Sequence, residues 1–253
     1  MKNRVLTALL LLAIFIPIFL LRGIYMMLTV VVVIGLCIDE LTSFRRKDWH
    51  FAITGYLGTC YIGLCFASAA LYPWLLFVFI MSLFLISFIT ERFTVMDVLL
   101  YGSLSLILTF AGRSVLSLEK QGSLHLLYLV AVTYSVDTGG FFGGKFFGKH
   151  KLIERISPKK TWEGFYVGWF MGFAVSMLFL FIWPIFPAYL HIPASLLLAV
   201  TGQFGDLIFS SIKRFFQIKD FGSLLPGHGG ILDRIDSLLI NITVFVMILR
   251  VFS

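Results

Sequence analysis

Nine apolar runs, most of them near the length that crosses a bilayer and separated by short polar punctuation, leave this chain few folds to choose from. They lie near residues 5–21, 24–38, 51–71, 73–90, 95–112, 123–138, 164–183, 192–210 and 236–252. The pattern predicts an all-α, polytopic integral-membrane bundle of about nine transmembrane helices. A composition of 59% hydrophobic and only 13% charged residues is far from that of a soluble domain and agrees. The first run follows Lys2 and Arg4 as a secretory signal would. No small-residue cleavage site follows it, and a second run starts at Ile24, so it is read as a retained helix. Cys37, Cys60 and Cys65 all sit inside apolar runs, and an odd number excludes a complete disulfide framework, so they are read as packing residues.

A formal charge of +7 invites a nucleic-acid reading, but the placement of the charges argues for a membrane instead. With the N-terminus inside, all of the 20 Lys and Arg except Arg22, Arg113, Lys120 and Arg250 fall on the cytosolic side. The positive-inside rule therefore supports nine spans, N-in and C-out. Up to about residue 130 the chain reads as scaffold, with its ionisable residues at the ends of spans. Residues 131–253 carry two long cytosolic loops, from about Phe141 to Glu163 and from about Ser211 to Arg234, within what is read as one membrane domain. Chemistry belongs on that cytosolic face.

Three polar segments are candidates for it. In Gly205 to Arg214, helical spacing puts Asp206, Ser210, Lys213 and Gln217 on one stripe, with Arg214 beside Ser210. Basic helix ends are common and snorkel to headgroups, but a carboxylate near bilayer depth is costly and marks function. In Lys219 to Ser237, which includes Asp220, the turn Pro226-Gly227-His228-Gly229-Gly230 brings backbone N–H groups together and opens into a helix, an arrangement that holds phosphate oxygens. His228 is read as a phosphate or backbone contact and is assigned no proton transfer. Asp233 and Asp236, three residues apart, project from one face of that helix. Hard oxygen ligands so spaced suit Mg²⁺, although acidic residues at a helix N-terminus are also ordinary dipole partners.

The third segment begins at Asp137 and runs through Gly139, Gly140, Gly143 and Gly144 to Lys145. Gly140, Gly144 and Gly148 recur every four residues, which reads as close helix packing. The basic loop beyond ends in Ser157-Pro158-Lys159-Lys160-Thr161-Trp162-Glu163-Gly164, where Thr161 is the expected cap of the next helix. Lys159 and Lys160 point a dense charge at the same surface, for which a polyanion is the natural partner, with binding of the membrane surface as the plainer alternative.

These residues resemble the phosphatidate cytidylyltransferase, or CDP-diacylglycerol synthase, family. Its signature matches without a break from Ser210 to Asp236, S-S-I-K-R-F-F-Q-I-K-D-F-G-S-L-L-P-G-H-G-G-I-L-D-R-I-D. The segments at Asp137–Gly139 and Ser157–Gly164 are also similar, so the resemblance covers the C-terminal half; Gly140-Phe141 departs from the Ala-Tyr of the pattern. The resemblance implies that CTP and phosphatidate react to give CDP-diacylglycerol and pyrophosphate. It also implies metal binding by Asp206 and Asp233 with Asp236 nearby, Mg²⁺ as the catalytic ion, and K⁺ as a candidate second cation. Lys213, Arg214, Lys219 and Arg234 would then hold phosphatidate or pyrophosphate. The expected partners are CTP, phosphatidate and the lipid bilayer, with no nucleic acid and with room for a homodimer. The expected setting is the bacterial inner membrane, with the site facing the cytoplasm. A CTP-dependent lipid-alcohol kinase is the nearest rival, and a membrane transporter a more distant one that would more often show repeat symmetry.

Overall fold

The computed structural model describes residues 21–45, 51–224 and 229–252, together with Pro17. Eight long helices account for most of these residues: α1 (Ile24–Ser43), α2 (Phe51–Phe66), α3 (Tyr72–Ile89), α4 (Val95–Gln121), α5 (Ser123–Phe147), α6 (Trp162–Ile182), α7 (His191–Phe215) and α8 (Leu232–Phe252). A two-stranded antiparallel hairpin, β1 (Lys151–Ile153) and β2 (Ser157–Thr161), and a single 3₁₀ turn at Ala188–Leu190 complete them. All but α2 are long and apolar enough to cross a membrane, and α2 is a shorter apolar helix. The all-α membrane bundle is borne out. Most of the expected first span lies outside the described residues.

Large apolar side chains face outward along these helices, among them Trp74, Phe88 and Phe181, the last 87% exposed. An aqueous surface would not carry so much apolar area, whereas lipid tails solvate it. Local chemistry marks two of the helix starts. Pro73 occupies the first turn of α3, where its missing N–H costs nothing. The buried Asp97 accepts the Thr94 N–H (2.8 Å) and hydroxyl (2.7 Å) at the head of α4.

Several helices run further than the apolar runs suggested, whereas α2 stops at Phe66, short of the expected 71. α1 continues past Ile38 to Ser43 and thereby takes in Asp39 and Glu40. α5 continues past Asp137 to Phe147, so the first cytosolic loop is shorter than expected and is mostly a hairpin. α7 ends at Phe215, and Gln217, at a φ of 56°, turns the chain out of the helix while the Ile218 N–H returns to the Lys213 carbonyl at 2.9 Å. Gln217 therefore leaves the stripe on which helical spacing placed it. A helix closes its own backbone bonds whatever surrounds it, so α1 and α5 continue past the points where their side chains turn polar.

The chain forms two compact units. One comprises the described residues up to Leu116 together with those of Phe221–Leu232. Within it, the Tyr101 hydroxyl donates to the Leu41 carbonyl (2.9 Å), and the Arg113 guanidinium donates to the carbonyls of Leu64 (3.0 Å) and Ala67 (2.5 Å). Cys37, Cys60 and Cys65 are unpaired, with Cys37 and Cys65 buried. The other unit comprises Ser117–Asp220 and the described residues from Asp233 on. Its interior polar groups satisfy one another, Tyr128 with Ser176 (2.6 Å) and Ser176 with Ser195 (2.6 Å), as apolar surroundings require.

Candidate active site

Two close helix crossings build the site, and glycine makes both. In α5 and α6 the backbones meet face to face: a Cβ at Gly164 would lie 2.7 Å from the Gly140 carbonyl oxygen, and one at Gly168 would lie 2.7 Å from that of Val136. Packing was the expected role of the α5 glycines. The tightest positions there are Gly139 and Gly143, which face Met171 and Val167, and the α6 glycines 164, 168 and 172 form the opposing stripe. In α7 and α8, a Cβ at Gly205 would lie 2.9 Å from the Asp236 carbonyl oxygen, and one at Gly202 would lie 2.8 Å from the Asn241 amide. The fully buried Asn241 then ties the helices together, accepting from the Thr201 hydroxyl (2.6 Å) and donating to that of Thr133 (2.9 Å).

These crossings bring acids and lysines from four elements together. Lys160 of β2 pairs with Asp206 of α7 at 2.6 Å, and the Ser210 hydroxyl donates to the same carboxylate at 3.0 Å one turn later. Lys213 pairs with Asp233 of α8 at 2.7 Å, with both side chains nearly sealed from solvent. Asp236, also buried, accepts the Ser237 N–H at 2.8 Å. Asp137 of α5, Asp206 and Asp236 lie within range of one another's charge, and Lys213 acts on both Asp206 and Asp236. Like charges so placed need cations among them.

The hairpin is held for its part in this cluster. Thr161, buried, caps α6 as expected by accepting the Gly164 N–H at 3.1 Å. Glu163 accepts the backbone N–H groups of Lys149 (3.1 Å) and His150 (3.2 Å) and pairs with the His150 ring at 2.6 Å, so it clamps the chain entering the hairpin. That role had no separate sequence signal. Arg214 donates to the carbonyls of Ile156 (3.1 Å) and Ile218 (2.9 Å), which ties the hairpin turn to the end of α7. Ser157 pairs with Ile153 in the hairpin, and Lys159 is exposed beside it. Lys145 is exposed in the last turn of α5, with its ammonium 5.8 Å from the Phe146 ring centroid. Lys219, Asp220 and Arg234 are exposed.

His228 lies outside the described residues. Gly229 has a φ of 87°, which suits glycine, and Gly230 packs against Glu40. The N–H groups of Ile231 and Leu232, where the glycine turn enters α8, donate to the Glu40 carboxylate at 2.8 and 2.9 Å. A phosphate was the expected acceptor at that turn, but these two donors are committed to a protein carboxylate. Reading the N-terminal half as scaffold missed Glu40; a carboxylate within an apolar helix was the one available signal.

Among the described residues no three His, Cys, Asp or Glu side chains converge as a ready-made metal cage. Oxygen donors for a hard cation are nonetheless present in Asp206, Asp233 and Asp236, and Mg²⁺ completes its shell with water and substrate phosphates. An alternation of carboxylates and ammonium groups of this kind is chemically suited to polyphosphate, with carboxylate oxygens matched to a hard cation and ammonium groups to phosphate oxygens.

Comparison with known proteins agrees in kind. The model of the cytidylyltransferase family matches residues 2–252. A phosphatidate cytidylyltransferase of Bacillus subtilis (strain 168) is 40% identical over 138 residues, which is 54% of this chain and 51% of that protein. Those of Staphylococcus aureus (strain COL), 31% identical over 252 residues, and Staphylococcus haemolyticus (strain JCSC1435), 32% identical over 258, each match 94% of both chains. A match over almost the whole length, joined to an acid and lysine cluster at the ends of apolar helices, means that this chain belongs to the cytidylyltransferase family.

Proposed function

We propose that this integral-membrane enzyme condenses CTP with phosphatidate to give CDP-diacylglycerol and pyrophosphate, on the cytoplasmic face of the cell membrane. The observation that carries this reading is the cluster of Asp206, Asp233 and Asp236 with Lys160 and Lys213, in a chain whose near full-length relatives are named phosphatidate cytidylyltransferases. The cytoplasmic setting rests on the basic loops, and the uninterrupted match from Ser210 to Asp236 supports the choice of reaction.

The reaction asks for little covalent help. A phosphatidate monoester is anionic near neutral pH, and one of its oxygens attacks the α-phosphorus of CTP while the bond to pyrophosphate breaks. The protein supplies alignment and neutralisation of charge. Lys160 and Lys213, each now paired with an aspartate, turn to phosphate oxygens when nucleotide arrives. Asp206, Asp233 and Asp236 would hold Mg²⁺, with K⁺ as a candidate second cation. When bound, Mg²⁺ screens the nucleotide phosphates and the charge that develops on the leaving pyrophosphate. Arg214 keeps the hairpin, and with it Lys160, in place.

CTP labelled at the γ-phosphate tests the reading directly. Purified protein supplied with phosphatidate and Mg²⁺ should release the label as pyrophosphate and leave none in the lipid. Label in the lipid would establish the kinase instead, and intact CTP alongside solute movement across vesicles would establish a transporter.

A further inference from the structure

Glu40 is a buried carboxylate that the proposed chemistry does not use, and its hydrogen bonds to Ile231 and Leu232 point to one task. It is 5% exposed, within the last turns of a mostly apolar helix and next to Asp39. A charge so placed persists only where it is fully engaged, since removing a carboxylate from water is costly. Glu40 is engaged by the signature segment. Oε1 accepts the Ile231 N–H at 2.8 Å and Oε2 the Leu232 N–H at 2.9 Å. A Cβ at Gly222 would lie 2.8 Å from Oε1, and one at Gly230 would lie 2.6 Å from Cδ. One turn along α1, the Ser43 hydroxyl donates to the Phe221 carbonyl at 3.4 Å. Both ends of the stretch Phe221–Leu232 are thus fastened to the end of α1, and each end carries a glycine where the carboxylate needs room.

We propose that Glu40 is a positioning residue for the nucleotidyl transfer: it fixes the start of α8 and so sets the position of Asp233, the next residue in the chain. The inference rests on the cytidylyltransferase reading for its kinetic consequence, but not for its structural one. The two carboxylate oxygens are chemically suited to the task, because the first N–H groups of a helix lack intrahelical acceptors and the positive end of its dipole favours an anion. A glutamine offers one carbonyl oxygen and turns an N–H₂ toward the other donor. Aspartate keeps the charge but draws it back by one methylene, which leaves space at Gly230.

The test uses full-length protein in detergent with four variants: Glu40→Gln, Glu40→Asp, Gly230→Ala and the double variant Glu40→Asp with Gly230→Ala. Loss of one charge-assisted hydrogen bond corresponds to a fall in kcat of about 10- to 100-fold for Glu40→Gln, with KM for CTP within about threefold of wild type. Gly230→Ala falls in the same direction. The double variant is more active than the product of the two single effects predicts, because the shorter acid accommodates the new methyl group. Hydrogen exchange at the Ile231 and Leu232 amides accelerates in Glu40→Gln, a readout that needs no turnover.

Three results would overturn the inference. They are unchanged amide exchange and kcat in Glu40→Gln, a kcat loss accounted for entirely by the unfolded fraction in thermal melts, and a gain in turnover or CTP affinity. The last would mean that the carboxylate competes with a substrate phosphate. An inactive wild-type protein would refute the cytidylyltransferase reading alone, and amide exchange would still decide the role of Glu40.

Discussion

The Lys213 ammonium lies 2.7 Å from Asp233 Oδ1, joining the last turns of α7 to the first turn of α8 where only 9% and 3% of the two side chains are exposed. Lys160 and Asp206 make a second pair at 2.6 Å, with about a quarter of each side chain exposed. The two pairs hold similar charges in different surroundings, so their loss has different consequences.

Lys213→Met removes the ammonium that faces the buried Asp233 carboxylate. Breaking a buried pair costs about 3 kcal/mol or more, and the loss of a charge-stabilising donor lowers kcat about 100-fold. Lys160→Met lowers activity too, but its half-open pair contributes less than about 1 kcal/mol to stability. Thermal unfolding and steady-state rates on the two purified variants separate the effects: Lys213→Met should melt distinctly lower, and Lys160→Met close to wild type.

Asp233→Asn is expected to abolish turnover while the protein stays folded. The amide oxygen still accepts from Lys213, but a neutral group is a poor ligand for a hard cation. An active Asp233→Asn variant would remove this residue from the metal site. Dialysis against EDTA should likewise reduce the wild-type rate to background, with recovery on addition of Mg²⁺.

Gly168→Ala sets a methyl carbon 2.7 Å from the Val136 carbonyl oxygen, a contact neither backbone can relieve without separating α5 from α6. Overpacking of this kind costs about 1–3 kcal/mol. Gly55→Ala, with nothing within 4 Å of the new carbon, is the matched control and should melt like wild type. Because α5 carries Asp137 and α6 follows directly on Lys160 and Thr161, Gly168→Ala should also reduce the rate.

Asn241→Leu removes the link between Thr201 and Thr133. Interhelical hydrogen bonds among apolar helices contribute about 0.6–2 kcal/mol each, so a loss in that range is expected from unfolding measurements, with a partial fall in kcat. Unchanged stability would mean that apolar packing alone holds α7 against α5.

The helices were legible because length and apolarity are local properties, whereas their ends were less so. Glu40 and Gly140–Phe147 extend spans whose apolar runs stop at charge and glycine, since an α-helix tolerates both once a neighbour supplies partners or packing. Spacing made helix packing legible at Gly140 and Gly144, but the tightest contacts of α5 fall one residue earlier, at Gly139 and Gly143, and the facing stripe at Gly164, Gly168 and Gly172 became evident only as their partner. Thr161 as a cap was legible because capping involves residues three apart.

By itself the sequence determined a helical membrane chain, the acid, lysine and glycine segments that form the candidate site, and through their pattern the family. Tertiary structure alone decided which lysine meets which aspartate, that Arg214 braces a hairpin, and that the start of α8 is held by a residue 192 positions earlier. The reason is physical. Helix formation and capping are settled within a few residues, whereas pairing across helices depends on how closely backbones cross, and glycines at 164, 168, 202 and 205 set that distance only when the opposing surface is in place.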